Sequence, residues 1–397
     1  MPTATYRAGA FLAAAARLDI DVVIGCERRQ TMAGAMGDGA VVVPMEDVEV
    51  AVERIVDLHA RAPLDAVVAV DDQGLAVASA ASARLGFPHS PPEAVAAARN
   101  KILLRTRLAA AGVRQPSFCV IEPGADAAGV AAAVGYPCVV KPVSRSGSQG
   151  VIRANCPDKA RVAAERVRAI VGKDEPLLVE TFVAGAEVAV EALVEHGALR
   201  ILAVFDKPDP LDGPFFEETI YVTPSRQPPA TLEALGTTAQ AAVTALGLSE
   251  GPVHAELRVG TDGQPVVIEV AARSIGGLCA RALRFGAGIS LEELIVRHAV
   301  GVGVGSLRRE AAASGVMMLP IRKAGVLEHV SGQADALAVD GILGVEITIP
   351  VGRPVVPLPE GDRYLGFVFA RGKTPVDVEA ALRRAESALC VVVRPAS

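Results

Sequence analysis

The sequence predicts a chain of mixed α/β and α+β class, with a small parallel α/β domain first and a strand-rich region last. Three observations support this. Short apolar strands alternate with helical patterns up to a proline cluster at residues 88–92. A hairpin pattern surrounds Asp262-Gly263. From about Ser306, glycines separate short strands before one helix at residues 376–389. The length of 397 residues predicts about two to four domains.

Composition excludes several classes of protein. Net charge is -6 and no basic run occurs, so we expect no nucleic-acid partner. No apolar run reaches the roughly 18 residues of a membrane span, and the short stretch at residues 10–16 lacks the cleavage site of a signal peptide. The six cysteines form no CxxC pair, which indicates small buried thiols in a reducing compartment. We therefore expect a cytoplasmic protein without a membrane partner.

The first domain is predicted over residues 1–92. We expect strands at residues 21–25, 40–43 and 66–70 and helices at residues 10–18 and 48–60. Asp71 and Asp72 follow the last of these strands, at the sheet edge where ligands of open α/β sheets bind. They are equally typical of residues that cap the next helix.

A glycine-serine loop, residues 144–150, follows the predicted strand that ends near Lys141. One long helix is predicted before it, over residues 93–112, and contains Lys101. The loop has no Walker ending, but its few Cβ atoms would let backbone N–H groups approach phosphates. The Lys141 ammonium could meet phosphate as a point charge. Such loops are also common as plain turns.

Glu180 and Glu187 flank a turn at Gly185 between two predicted strands. Exposed backbone beside two acids could bind an adenine edge and a ribose diol. The same pattern fits an ordinary strand connection.

Two glutamates face each other in the predicted hairpin. If Asp262 and Gly263 are its two loop residues, Glu256 lies directly opposite Glu269. The other face is then apolar, made of Ala255, Leu257, Ile268 and Val270. Opposed like charges are destabilising, so the pair favours a cation, and carboxylate oxygens suit Mg²⁺. The alternative is a solvated hairpin face. Arg273 could stabilise charge on a transferring phosphoryl group, or it could pair with one of the glutamates.

The order of these motifs strongly resembles the ATP-grasp superfamily over about residues 93–305. The resemblance implies an ATP-grasp fold, in which nucleotide lies between two α+β lobes. The small lobe with its flap would cover residues 93–175 and the large lobe with the metal site residues 176–305. A C-terminal α+β domain would cover residues 306–397.

The resemblance also implies roles for individual residues. Lys101 and Lys141 would contact phosphates, and the flap would close over them with Ser144, Ser146, Gly147, Ser148 and Gly150. Adenine would be bound by Glu180, Phe182 and Val183, and ribose by Glu187. Glu256 and Glu269 would hold Mg²⁺, or Mn²⁺, and Glu269 and Arg273 would act in catalysis. The family usually has Glu-x-Asn-x-Arg, whereas Ala271 replaces the asparagine here. This puts a full second metal site in doubt.

Within the superfamily the chain looks most like L-amino-acid ligases and related carboxylate–amine ligases, on the segments at residues 206–208, 213–225, 315–318 and 364–367. Glu217 or Glu218, with Tyr221, is expected to bind an ammonium-bearing substrate, and Gly276 and Gly277 to line its pocket. The alternative is one exposed glutamate and one paired with a lysine such as Lys207. Dipeptide ligases commonly have histidine at the place of Tyr221, so a different substrate pocket is indicated.

The implied activity is ATP-dependent amide or peptide bond formation through an acyl phosphate, with ADP and phosphate as products. The partners would be a small-molecule carboxylate and an amine, amino acids among them, and a homodimer is common in similar proteins. One alternative is a bicarbonate-using carboxylase of the biotin-carboxylase or purine-pathway type. Another is a non-catalytic nucleotide-binding regulatory protein.

Overall fold

The computed structural model describes residue 5, residues 7–28 and residues 39–395. The described residues of its N-terminal part include two strands paired in parallel and three helices. A short 3-10 helix lies just before the third helix. They are, in chain order, α1 (Ala8–Arg17), β1 (Ile24–Cys26), β2 (Ala40–Val42), α2 (Val48–Arg61), the 3-10 helix (Asp72–Gly74) and α3 (Leu75–Leu85). The parallel pairing confirms the predicted α/β class of this part.

Two predictions for the N-terminal part differ from the structure. The first strand, expected at residues 21–25, begins three residues later and is β1 (Ile24–Cys26). Residues 66–70 form no strand, and the apolar run reflects valines that pack against cores from an irregular segment. Val67 packs against the small core around Ala51 and Ile55, and Val70 packs against a different core.

The single helix predicted over residues 93–112 is two helices, α4 (Pro92–Arg99) and α5 (Lys101–Ala110). Asn100 between them is extended, and its side chain accepts hydrogen bonds from the N–H groups of Ile102 and Leu103 at 3.0 and 3.1 Å. Asparagine caps helices in this way and competes with an uninterrupted helix. The break therefore places Lys101 at the first position of α5.

A four-stranded antiparallel sheet follows, with strand order β3-β6-β4-β5. Helices α6 and α7 pack on its buried face. Together these elements are called the small lobe: β3 (Phe118–Ile121), α6 (Ala127–Val134), β4 (Cys138–Pro142), β5 (Ile152–Ala154), α7 (Pro157–Val171) and β6 (Leu177–Thr181).

An eight-stranded antiparallel sheet forms the large lobe, in the order β11-β10-β7-β8-β9 followed by strands at Ala313–Leu319, Gly366–Gly372 and Ile342–Ile347. Its first five strands and two helices are β7 (Ala186–Glu195), β8 (Ala198–Asp206), β9 (Ile220–Thr223), α8 (Pro229–Leu246), β10 (Gly251–Val259), β11 (Pro265–Ala271) and α9 (Leu291–Ala299). A 3-10 helix at Cys279–Ala282 connects β11 to α9. Helix α8 covers one face of the sheet, over a core that includes Val190, Leu257 and Val270.

The C-terminal region (residues 306–395) is strand-rich, as predicted. Three of its strands extend the large sheet, and three others form a separate sheet in the order β15-β13-β17. The elements are β12 (Ala313–Leu319), β13 (Gly325–Ser331), α10 (Gln333–Leu337), β14 (Ile342–Ile347), β15 (Pro354–Val355), β16 (Gly366–Gly372), α11 (Pro375–Ala388) and β17 (Cys390–Arg394). Because β12 pairs with β9, this region is continuous with the large lobe.

The acidic hairpin forms, but its loop differs from the prediction. Glu256 and Glu269 are paired directly, as expected. The Gly260 N–H donates to the Gln264 carbonyl at 2.9 Å, so the loop has three residues rather than two. Since Leu257 then pairs with Val267, Ile268 is the extra residue of a β-bulge. Its predicted place on the apolar face is wrong: Val267 lies in the core there, and Ile268 lines the cavity described below.

No disulfide joins any of the six cysteines, all of which are described. Cys26, Cys138 and Cys279 are buried as expected, whereas Cys156 and Cys390 are exposed. Among the described residues no helix is long and apolar enough to cross a membrane.

Candidate active site

A cavity of about 460 Å³ opens between the two lobes and reaches both the N-terminal part and the C-terminal region. Most of the residues predicted for the site line it: Lys101, Lys141, Ser146, Gly147, Ser148, Glu180, Phe182, Val183, Glu187, Glu218, Tyr221, Glu256, Glu269, Arg273, Gly276 and Gly277. Residues far apart in sequence therefore meet at one place.

At one end of the cavity Glu180 lies buried between two cations. Its carboxylate accepts a hydrogen bond from Arg105 Nε at 2.5 Å and lies 2.7 Å from Lys141 Nζ. Burial alone would raise the pKa of Glu180, but the charges of Arg105 and Lys141 hold it at about 2. Burial lowers the pKa of Lys141 to about 8, against the opposing effect of Glu180. These three side chains together carry one net positive charge when Lys141 is protonated.

The backbone beside Glu180 is partly engaged. The Phe182 N–H donates to the Pro137 carbonyl at 3.0 Å, and the Val183 carbonyl accepts from Arg258 at 2.7 Å. An adenine edge would therefore have to be read by the Phe182 carbonyl and the Val183 N–H. Arg153 stacks on the Phe182 ring with its guanidinium carbon 4.0 Å from the centroid.

Lys207 lies at the centre of a cluster of carboxylates. Its ammonium is 2.7 Å from Glu187 and 3.4 Å from Glu256, and it also contacts Glu218. Although burial opposes the charge, these acids raise the pKa of Lys207 well above its usual value. The second oxygen of Glu187 accepts from Arg258 at 2.8 Å. Both oxygens of the predicted ribose ligand are therefore already bound to cations.

The opposed glutamates of the hairpin reach different partners. Glu256 contacts Lys207 and His254 Nε2, the latter at 3.3 Å, whereas Glu269 lies 3.6 Å from Lys101. Burial would raise the pKa of Glu256, but Lys207 and His254 lower it. His254 also contacts Glu191 at 3.0 Å. Burial would lower the pKa of His254, yet its two acidic neighbours raise it to about 9.

Oxygens of Glu187, Glu218 and Glu256 lie within 4.8 Å of one another. Carboxylate oxygens are the ligands that Mg²⁺ and Mn²⁺ prefer, but these three carboxylates already surround the Lys207 ammonium, so a divalent cation among them would compete with Lys207. Glu269 is outside that group of three. Ala271 also lines the cavity and offers no ligand atom.

Arg273 connects the hairpin to the N-terminal part. Its Nε lies 2.8 Å from Asp72, and this contact raises the pKa of the buried guanidinium in spite of desolvation. Asp72 lines the cavity, and Arg273 pairs with Asp72 rather than with either hairpin glutamate. Arg7 lies beside it and donates to Ser274 at 2.5 Å. The N-terminal part thus completes one wall of the cavity.

The flap, residues 144–150, is folded over the cavity. Lys101 Nζ donates to the Arg145 carbonyl at 2.5 Å, and the middle of the flap lines the cavity. The two ends of the predicted flap site do not. Ser144 donates to Glu175 at 2.8 Å, and Gly150 packs on Pro142.

The predicted ammonium pocket is only partly assembled. Glu218 and Tyr221 line the cavity, but Glu217 does not. Glu218 contacts Lys207 and accepts from the Tyr221 hydroxyl at 2.7 Å, so the alternative pairing with Lys207 is the one that forms. Gly277 has a φ of 60°, and a Cβ there would lie 2.8 Å from the Phe367 ring.

Sequence reasoning missed several charged residues of the site: Arg7, Arg105, Glu191, His254 and Arg258. His254 and Arg258 alternate with Glu256 along β10, so the same period-2 pattern would have placed them on its face. Arg105 lies one helical turn after Lys101. Arg7 carried no signal, because its partner is 267 residues away.

Three family models match separate stretches of the chain. An ATP-grasp N-terminal domain matches residues 12–89, an ATP-grasp domain residues 134–282, and the L-amino acid ligase C-terminal domain 2 residues 317–394. Together with the two lobes and the cavity between them, these matches show that the chain belongs to the ATP-grasp superfamily and has its fold.

Individual proteins narrow the resemblance. The crystal structure of L-amino acid ligase from Bacillus licheniformis superposes with a TM-score of 0.80 and 26% identity, covering 97% of this chain and 95% of that one. A Sinorhizobium fredii protein named as uncharacterized is 27% identical over 78% of this chain and 64% of its own length. D-alanine–D-alanine ligase of Aromatoleum aromaticum is 30% identical over 47% of this chain and 60% of its own. The matched region thus spans less than two thirds of these two curated relatives.

Proposed function

We propose that this protein is an ATP-dependent carboxylate–amine ligase that forms an amide or peptide bond through an acyl phosphate. One observation carries the proposal: Lys101, Lys141 and Arg273 line the same cavity as Glu256 and Glu269, and Lys207 pairs with carboxylates of its wall. Phosphoryl transfer is catalysed mainly by positioning and by neutralising charge. A cavity with this charge arrangement suits a nucleoside triphosphate and a carboxylate that accepts its phosphoryl group.

The nucleotide would lie under the flap. We assign its adenine to the side of Phe182 and Val183 and its phosphates to Lys101 and Lys141. Glu187 would meet the ribose only by giving up or sharing a contact with Lys207 or Arg258. Glu256 and Glu269 would hold Mg²⁺, which neutralises phosphate charge when bound.

Two steps then follow. A carboxylate oxygen of the first substrate attacks the γ-phosphorus, the bond to the bridging oxygen breaks, and ADP leaves. The amine nitrogen of the second substrate attacks the acyl carbon, the carbon–oxygen bond to phosphate breaks, and the amine loses a proton. Arg273 lines the cavity at the end of the acidic hairpin, and we assign it to the negative charge of the acyl phosphate. The closed flap keeps water from the intermediate.

A screen of ADP release over pairs of carboxylates and amines, including the common amino acids, tests the proposal. We expect turnover that needs both substrates and a divalent cation. Glu269→Gln should lose it, whereas Glu328→Gln, which removes an exposed acid of β13, should not. Bicarbonate-dependent turnover without an amine would instead favour the carboxylase alternative. Nucleotide binding without turnover over the whole panel would favour the regulatory protein.

A further inference from the structure

The flap is fastened to the C-terminal region by its far end. The Gly150 N–H donates to the Pro359 carbonyl at 2.8 Å, and the Gln149 amide donates to the Glu360 carbonyl at 2.9 Å. The Glu360 carboxylate binds Arg166 of α7 through both oxygens, one of them at 2.9 Å from Nη2. We name Arg166 and Glu360 the latch pair.

The segment that carries Glu360 continues into the cavity. Asp362, Arg363 and Tyr364 follow after Gly361 and line the cavity wall. One short stretch of the C-terminal region therefore contacts the outside of the flap with one end and the cavity with the other. Movement of this stretch would therefore change both its contact with the flap and the wall of the cavity.

The small lobe makes a second contact of the same kind. The Arg153 N–H donates to the Pro214 carbonyl at 2.9 Å, and its guanidinium donates to the Asp212 carbonyl at 2.7 Å. Arg166 also lies over the Phe215 ring, 4.8 Å from its centroid. The small lobe is thus held at two points, by the segment at residues 212–215 and by the latch pair. The latch pair joins them, since Arg166 contacts both.

We propose that Glu360 is a positioning residue that holds the small lobe and its flap closed over the nucleotide. The effect of closure on the reaction rests on the proposed function, whereas the contacts that close the flap are present in the structure whatever the reaction. Opening the latch would free the flap at Gly150, speed nucleotide release and admit water to the acyl phosphate. Glu360 touches no reacting atom and acts through the flap.

The size of the effect follows from exposure. The latch side chains are 42% and 40% exposed, and exposed ion pairs contribute little, although bidentate ones contribute more. We expect Glu360→Gln to weaken nucleotide binding by about threefold to fivefold. The chain offers a matched control in Arg281 and Glu346, an ion pair with the same two exposures that does not join the small lobe to another part of the chain.

The experiment compares the full-length protein with its Glu360→Gln, Glu346→Gln and Arg166→Glu/Glu360→Arg variants. Affinity for ADP with Mg²⁺ is measured by calorimetry, and trypsin cleavage after Arg145 in the flap is followed on gels. Glu360→Gln should bind ADP more weakly and be cleaved faster. The charge-swapped double variant should recover part of the ADP affinity and part of the resistance to trypsin. Glu346→Gln should match the wild type in both assays.

In the binding and cleavage assays, either of two results would overturn the inference: a Glu360→Gln variant equal to the wild type in both, or an equal loss in Glu346→Gln. Neither assay needs a second substrate, so failure of the ligase proposal would be seen separately as absent ADP release. With a working substrate pair, the phosphate released per amide formed should rise in Glu360→Gln at unchanged KM for the organic substrates. A ratio that stays at the wild-type value while nucleotide affinity falls would likewise contradict the closure role.

Discussion

Replacement of Arg105 by methionine should strongly destabilise the protein. Arg105 is fully buried. It donates to Glu180 at 2.5 Å and to the carbonyls of Val267 and Ile268 at 3.2 and 2.6 Å. Its removal leaves the Glu180 carboxylate buried with Lys141 alone and leaves the bulge carbonyls without their donor. Breaking a buried ion pair by removing one partner costs about 3–5 kcal/mol in unfolding free energy.

The assay is urea unfolding followed by far-ultraviolet circular dichroism, with Arg107→Met as the control on the same helix. Arg107 is half-buried and donates to the Leu246 carbonyl, so its loss should cost only about 0.5–1.5 kcal/mol. Adding Glu180→Gln to Arg105→Met should not restore stability, because the buried Lys141 ammonium then loses the carboxylate it pairs with. An Arg105→Met variant as stable as Arg107→Met would refute the reasoning.

Three further predictions concern activity. Glu269→Gln should lower metal-dependent turnover by about 10²–10³ because an amide carries no charge; near-wild-type rates would move the metal site elsewhere. Since the Lys141 pKa is lowered to about 8, its ammonium is lost above that pH. In the free enzyme kcat/KM for ATP should therefore fall above pH 8, and Lys141→Arg, which stays charged, should not show this fall. Glu218→Gln should raise the KM of the amine substrate and leave that of ATP unchanged; the reverse pattern in titrations would place Glu218 in the nucleotide site.

The local patterns of the sequence predicted the main elements well. Period-2 alternation placed β10 and β11 and the opposition of Glu256 and Glu269. The bulge at Ile268 escaped prediction because it compensates for a loop one residue longer, which leaves the glutamates paired. The helix break at Asn100 could have been predicted from the sequence, since asparagine before a helical run is a capping signal.

The charge network of the site was much less predictable. Motif order placed the acids and two lysines, but partner choice depends on chain segments far apart. Arg105 and Glu180 are separated by 75 residues and Arg273 and Asp72 by 201. Lys207 was considered only as an alternative partner of Glu218, yet the fold surrounds it with three carboxylates. Such pairings form when the lobes pack against each other, and local sequence periodicity does not predict that packing.

The most direct test of the ligase mechanism follows an oxygen atom. A substrate pair found by the ADP-release screen is supplied with its carboxylate labelled with ¹⁸O, and the phosphorus products are examined by NMR and mass spectrometry. An acyl-phosphate ligase transfers one carboxylate oxygen to phosphate, so we predict ADP together with phosphate that carries one ¹⁸O atom per amide formed. Unlabelled phosphate, or AMP with pyrophosphate, would contradict the mechanism.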